Sequence, residues 1–187
     1  GATNSSEDNA FVKDALFNVT VNVPTLTYGP INTWKTNLVS KMSNLFKDQT
    51  TFNEDISNWD VSNVTAMNGM FRDADWFNQP LNNWDVSNVL SLAYMFYANS
   101  SFNQPLNSWN TSKVVSLQYM FMSTQFDQDI SNWDVSKVSR LQGVFQNATY
   151  FNQDISNWKL PTSGVSYDNY GSSSGHSDGL FQDSDKL

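Results

Sequence analysis

Carboxylate and amide side chains recur on both sides of a repeated tryptophan, and these groups could bind a ligand. These groups lie directly before and after that tryptophan, and a serine and a lysine take two of the equivalent positions. The positions are Asn58, Asp60, Asn83, Asp85, Ser108, Asn110, Asn132, Asp134, Asn157 and Lys159. Oxygen ligands of this kind suit Ca²⁺, and the same groups can hydrogen-bond sugar hydroxyls or the backbone of a protein partner. If a cation binds, the sequence points to Asp60 and Asp85.

The same residues also have an interpretation without a ligand. Stacked repeats would bring Asp60 beside Asp85 at about 4.8 Å, where two carboxylates repel. Asn110 interrupts the acidic series and Lys159 ends it, which relieves the repulsion without a cation. The asparagine amides can bond one another along a stack. From the sequence alone both interpretations stay open.

A second acidic set lies before three of the tryptophans, at Asp55, Asp129 and Asp154, and Pro80 and Pro105 take this position in the middle units. Aspartate often closes a turn by accepting a hydrogen bond from a nearby backbone N–H. We therefore predict that these carboxylates hold turns and do not bind a metal.

Other chemistries find little support in the 187 residues. The absence of cysteine excludes disulfides, cysteine-ligated zinc and a catalytic thiol, and His176 is the single histidine. Nearly every carboxylate recurs by repeat, which favours a scaffold over a unique catalytic site. We predict that the chain is not an enzyme and has no cofactor, with Ca²⁺ as the one cofactor left open.

Charge and hydropathy limit the classes of partner that the chain is expected to bind. The chain contains ten Lys and Arg residues and 18 Asp and Glu residues. The resulting net charge of −8 disfavours binding to the phosphate backbone of a nucleic acid. No run of about 18 apolar residues occurs, so we predict no membrane insertion by this segment. The expected partner is a protein or a polysaccharide.

The positioning framework is an internal repeat. Trp34, Trp59, Trp84, Trp109, Trp133 and Trp158 recur at spacings of 25, 25, 25, 24 and 25. Two columns of phenylalanine accompany them: the first is Phe46, Phe71, Phe96, Phe121, Phe145 and Phe181, and the second is Phe52, Phe77, Phe102, Phe126 and Phe151. A unit of this size cannot bury its apolar side alone, so neighbours must stack. The predicted core comprises Trp59, Trp84, Trp109, Trp133, Phe71, Phe77, Phe96 and Phe102.

The spacing within a unit predicts its local structure. Ile56, Trp59 and Val61 stand at relative positions 1, 4 and 6, the strand signature of leucine-rich repeats. Val64, Met67, Met70 and Phe71 then share one helical face, and Ser62 before them suits an N-cap. Ser87, Ser112 and Ser136 recur at the same place.

We therefore predict an α/β solenoid, a leucine-rich-repeat-like array with one short parallel strand and one short helix per ~25-residue repeat. The polar residues that flank each tryptophan would lie on the solvent face of its parallel sheet. Residues 1–30 would form an N-terminal cap, 31–160 the repeat solenoid, and 161–187 a Gly/Ser-rich loop with a partial C-terminal repeat.

Aromatic residues outside the columns form a further candidate surface. Trp76, Tyr94, Tyr97 and Tyr119 break the repeat pattern, and we predict that they lie on the outer surface. An exposed aromatic cluster there would be a patch for a partner or a glycan.

The unit FNQPLNNWDVSNV, which starts at Phe77, resembles the BspA-like leucine-rich-repeat proteins, specifically the mycoplasma-type lipoprotein repeat. The resemblance implies an extracellular or cell-surface location and a role in adhesion, and it brings no catalytic residues. We expect a non-enzymatic, surface-displayed module that binds protein or glycan through its sheet face. The alternatives are a structural spacer or cell-wall component, and a Ca-assisted carbohydrate-binding domain.

Overall fold

The computed structural model describes residues 29–164, and their regular secondary structure is sparse. One 3-10 helix spans Ile31–Thr33. Four isolated parallel bridges join successive repeats: Lys41 with Ala66, Ala66 with Ser91, Ser91 with Ser116, and Ser116 with Arg140. No α-helix and no β-strand forms within residues 29–164. The predicted α/β solenoid with a strand and a helix per repeat is therefore wrong. Most of the predicted N-terminal cap and of the C-terminal loop lies outside the described residues.

A run of overlapping turns replaces the predicted helix. In the repeat of Trp59, the N–H of Met70 donates to the carbonyl of Met67 (3.2 Å), and that of Arg72 donates to Gly69 (3.1 Å). The intervening amides point to the next repeat: Gly69 donates to Ala93 (2.8 Å) and Phe71 to Met95 (2.9 Å). Alternate amides thus serve the local turn and the neighbouring repeat, and we call the second set the backbone ladder.

Left-handed backbone conformations explain why this segment is not an α-helix. In each repeat two residues four positions apart have positive φ, near 60°. They are Asn44 and Asp48, Gly69 and Asp73, Tyr94 and Ala98, Tyr119 and Ser123, and Gly143 and Asn147. A residue in this region cannot continue a right-handed helix. An α-helix would also consume the amides that the backbone ladder uses to join repeats.

The predicted strand does not form either, because local hydrogen bonds fold its segment into turns. The N–H of Trp59 donates to Ile56 (3.0 Å) and that of Val64 donates to Val61 (2.9 Å), so this segment also folds into turns. Indole groups join the repeats here. Nε1 of Trp84 donates to the carbonyl of Ile56 (3.2 Å), and each later tryptophan repeats this contact one unit along the chain.

Stacked aromatic rings fill the core. The four predicted core tryptophans are 3% exposed, and the four predicted core phenylalanines are fully buried. Within a repeat, the rings of Phe96 and Phe102 lie 3.8 Å apart at 11°. Between repeats, Phe96 stacks on Phe71 at 5.6 Å and on Phe121 at 5.8 Å. The two phenylalanine columns therefore form one continuous core, and the repeats stack in register.

Candidate functional site

The residues that follow four of the six tryptophans close local turns. Oδ1 of Asp60 accepts the backbone N–H of Ser62 (3.0 Å), and Asp85 accepts that of Ser87 (3.0 Å). Asp134 and Asn110 make the same bond to the serine two residues later, at 2.9 Å and 3.2 Å. We call Asp60, Asp85, Asn110 and Asp134 the acidic column, and all four are exposed.

These turns also replace the predicted N-caps. The hydroxyl of Ser62 donates to Oδ1 of Asp60 (2.6 Å), and no helix follows for it to cap. The prediction that Ser62, Ser87, Ser112 and Ser136 cap helices is therefore wrong. Each serine instead supplies the backbone N–H that its neighbouring carboxylate or amide accepts.

Two carboxylates of the acidic column, those of Asp60 and Asp85, interact through their charges. Hydrogen bonds from Ser87 hold the pKa of Asp85 below its usual value, and the nearby charge of Asp60 opposes this shift. Lys113 acts in the same direction as the serine, and its Nζ also donates to Oδ1 of Asn88 (2.7 Å). Asp60 and Asp85 therefore repel each other across adjacent repeats while each carboxylate holds its own turn.

The neutral residues before each tryptophan are exposed as well: Asn58, Asn83, Ser108 and Asn132. Nδ2 of Asn132 donates to the backbone carbonyl of Asn107 in the preceding repeat (2.7 Å). The N–H of Ser108 donates to Oδ1 of Asn82 (2.9 Å). Across repeats, Asn132 therefore bonds a backbone carbonyl and Ser108 bonds the side chain of Asn82, so both contacts hold the scaffold together.

A calcium site would need more ligands than the carboxylates of the acidic column supply. Within residues 29–164 no group of three or more His, Cys, Asp or Glu is arranged to hold a metal ion. Ca²⁺ takes about 6–8 oxygen ligands, so Asp60 and Asp85 would need amide, carbonyl or water oxygens to complete a sphere. Calcium binding there stays a prediction.

The second acidic set closes turns, as predicted. Asp55, Asp129 and Asp154 each accept the backbone N–H of the serine two residues later, at 2.9 Å. This bond favours the charged form, so the pKa of each carboxyl lies below its ordinary value.

The turn-closing carboxylates predict a pH dependence of stability. The pKa values of Asp55, Asp60, Asp85, Asp129, Asp134 and Asp154 are all lowered. Their stabilisation is present above the unfolded value, about 3.9, and is lost as pH falls through the lower folded values. In urea titrations we expect a flat free energy of unfolding from about pH 7 to pH 5, and a decline below about pH 4.

Asparagine provides the control for this pH dependence, because Asn110 closes the same turn without a charge. The combined change of Asp55, Asp129 and Asp154 to Asn should flatten the decline below pH 4. A stability that rises from pH 5 to pH 3 would show that carboxylate repulsion outweighs the turn hydrogen bonds.

A polar ladder that the sequence analysis did not identify follows the second phenylalanine column. Oδ1 of Asn53 accepts the N–H of Asn78 and the side-chain amide of Gln79, both at 3.0 Å. Asn78, Asn103 and Asp127 repeat this arrangement in the following units. The sequence signal for this ladder is the polar residue that directly follows each phenylalanine of the second column. These polar residues have a structural role, because they join adjacent repeats.

The aromatic residues outside the columns form a cluster. The ring of Tyr94 lies 5.1 Å from that of Tyr119 and 5.9 Å from that of Tyr97. The guanidinium of Arg72 stands over Tyr97 at 4.8 Å and over Tyr94 at 5.7 Å. Trp76 is 61% exposed. The three tyrosines are partly buried, and Tyr94 contacts the other two.

A family model described as "Mycoplasma protein of unknown function, DUF285" matches residues 14–125 and again residues 91–170. Together these matches span well over half of the chain. The chain belongs to this family. No curated protein and no solved structure matches the DUF285 chain. Among its described residues, none lies in a helix with the length and apolar composition needed to cross a bilayer.

Proposed function

We propose that this DUF285 chain is a non-enzymatic, extracellular or surface-displayed module that binds a protein or polysaccharide through the acidic column. One observation carries the proposal. Asp60 and Asp85 are exposed and repel each other, yet the turns hold both carboxylates in place across adjacent repeats. Such pre-organisation lowers the conformational entropy that these side chains lose when a partner binds.

Two further features support this function. The repeats are joined by ring stacking and the backbone ladder, so groups on one face keep a constant spacing. The resemblance to BspA-like surface proteins favours a role in adhesion and a location at the cell surface. A ligand with basic or hydroxyl groups would complement the acidic column.

The test uses a charge-neutral variant that keeps the turns. We expect the double change Asp60→Asn and Asp85→Asn to leave the melting temperature near that of the native chain, because Asn110 natively closes the same turn. Binding to matrix proteins or polysaccharides should weaken by about 2- to 30-fold, from roughly 0.2–1 kcal/mol per exposed charge pair. Surface plasmon resonance over a matrix-protein and polysaccharide panel measures it.

The double change Asp129→Asn and Asp154→Asn is the matched control, because it also removes two charges, from turns of the same kind outside the acidic column. Equal weakening by this control would indicate an effect of net charge alone. If the native chain binds nothing at millimolar ligand, the structural spacer replaces the proposal. Binding that a chelator abolishes would favour the Ca-assisted carbohydrate-binding domain.

A further inference from the structure

Two tyrosines occupy a backbone position where the fold favours smaller residues. The position recurs once per repeat, and all its members have φ between 53° and 60°. They are Asn44, Gly69, Tyr94, Tyr119 and Gly143. Glycine and asparagine adopt this left-handed conformation readily, whereas a bulky side chain destabilises it. The middle repeats therefore carry strain that the outer repeats avoid.

Burial does not explain this strain, because Tyr94 and Tyr119 are only partly buried. The surrounding fold also makes room for one of the rings. A Cβ atom on Gly143 would lie 2.5 Å from the ring of Tyr119, so that ring leans over the glycine of the next repeat. Strained residues that the surrounding structure holds in place often mark binding sites.

The chemistry of the cluster is aromatic and close to neutral. We call Arg72, Tyr94, Tyr97 and Tyr119 the tyrosine patch. Nε of Arg72 pairs with Asp73 at 3.1 Å, which offsets the one cation. Burial raises the pKa of Tyr94 and Tyr119, so both hydroxyl groups stay protonated at neutral pH. The patch therefore offers partly exposed tyrosine rings, with neutral hydroxyl groups on Tyr94 and Tyr119, within a chain of net charge −8.

We propose that the tyrosine patch binds a neutral polysaccharide, with the C–H faces of successive sugar rings against Tyr94 and Tyr119. Aromatic faces with neutral hydroxyl groups complement sugars, which carry apolar ring faces and hydroxyl edges. The rings of Tyr94 and Tyr119, in adjacent repeats, lie 5.1 Å apart with a tilt of 38° between their planes, and this step is similar to that of one sugar in an extended pyranose chain. The proposal rests on the proposed role as a binding module and assigns it a site distinct from the acidic column.

The test removes both rings without adding strain. In the Tyr94→Asn, Tyr119→Asn variant each position receives the residue that Asn44 provides in the first described repeat. We expect an unchanged or higher melting temperature, with binding to β-glucan, mannan or galactan weakened at least about tenfold, as for a hot-spot tyrosine. Isothermal titration calorimetry measures the binding, and thermal unfolding followed by circular dichroism measures the melting temperature. The Tyr94→Phe, Tyr119→Phe variant keeps the rings and should retain most of the affinity.

Three results would overturn this assignment. The first is equal binding of the neutral polysaccharides by the native chain and the asparagine variant, or none by either at millimolar sugar units. The second is binding restricted to polygalacturonate or to a matrix protein. The third is a lower melting temperature of the asparagine variant, which would make the tyrosines structural. The Asp60→Asn, Asp85→Asn variant on the same panel separates the two sites. If this variant loses binding and the asparagine variant of the tyrosines does not, the result supports the acidic column and rejects the patch.

Discussion

Truncation of Trp84 to alanine is expected to lower the free energy of unfolding by about 3–5 kcal/mol, the range for a large buried aromatic residue. Trp84 is 3% exposed, packs against Phe71 at 6.4 Å, and donates its indole N–H to the carbonyl of Ile56 in the preceding repeat. The change therefore removes core volume and a link between repeats together. Chemical denaturation monitored by circular dichroism measures the loss.

Two companion variants separate the causes. Trp84→Phe keeps an aromatic ring but removes the indole donor, while the carbonyl of Ile56 still accepts the N–H of Trp59, so the lost hydrogen bond should cost about 0.5–1.5 kcal/mol. Trp76→Ala changes a tryptophan that is 61% exposed and should stay within about 0.5 kcal/mol of the native chain. A loss below about 1 kcal/mol for Trp84→Ala would mean that the tryptophan column is not the core.

Replacement of Ala98 by proline tests the backbone ladder with little change to the core. The N–H of Ala98 donates to the carbonyl of Met122 (2.9 Å), and its φ is 53°. Proline removes the donor and fixes φ near −65°, so the ladder cannot form at this point. We expect a loss of about 3 kcal/mol or more in urea unfolding, comparable with proline in a helix interior.

Glycine at the same position is the control. Ala98→Gly keeps the donor and suits the positive φ, while the unfolded chain gains conformational freedom, so the two effects should nearly cancel, within about 1 kcal/mol. If Ala98→Pro is as stable as Ala98→Gly, the ladder does not hold the repeats together.

The repeat and its apolar pattern were readable from the sequence, because burial depends on side-chain type and on a regular spacing. Ile56, Val64 and Met67 are fully buried, although their segments form turns and not the predicted strand and helix. A succession of turns and a helix can bury the same apolar positions, and periodicity alone does not separate them. The informative signal was the recurrence of Asn, Gly and Asp at Asn44, Gly69 and Asp73, where the left-handed conformation occurs.

The candidate site shows the same division. The turn-closing role of Asp55 followed from the tendency of aspartate to accept a nearby backbone N–H, and the structure gives the N–H of Ser57 as the donor. The neighbourhood of Asp60 and Asp85 followed from the repeat length, once the repeats were taken as stacked. The strain and the packing of the tyrosine patch could not be predicted from the sequence. Its strain depends on backbone angles at Tyr94 and Tyr119, and its packing depends on a glycine that lies one repeat away.

The sequence by itself determined that this chain is an array of aromatic units with an acidic, cysteine-free composition, because side-chain types and a 25-residue spacing are local facts. Only the tertiary structure decided where the backbone amides donate. The amide of Phe71 can serve its own segment, as in an α-helix, or the carbonyl of Met95, and the second choice exists only when the next repeat lies beside it. Turns joined by a ladder therefore replace the strand and helix, since the hydrogen bonds that stabilise them come from neighbours.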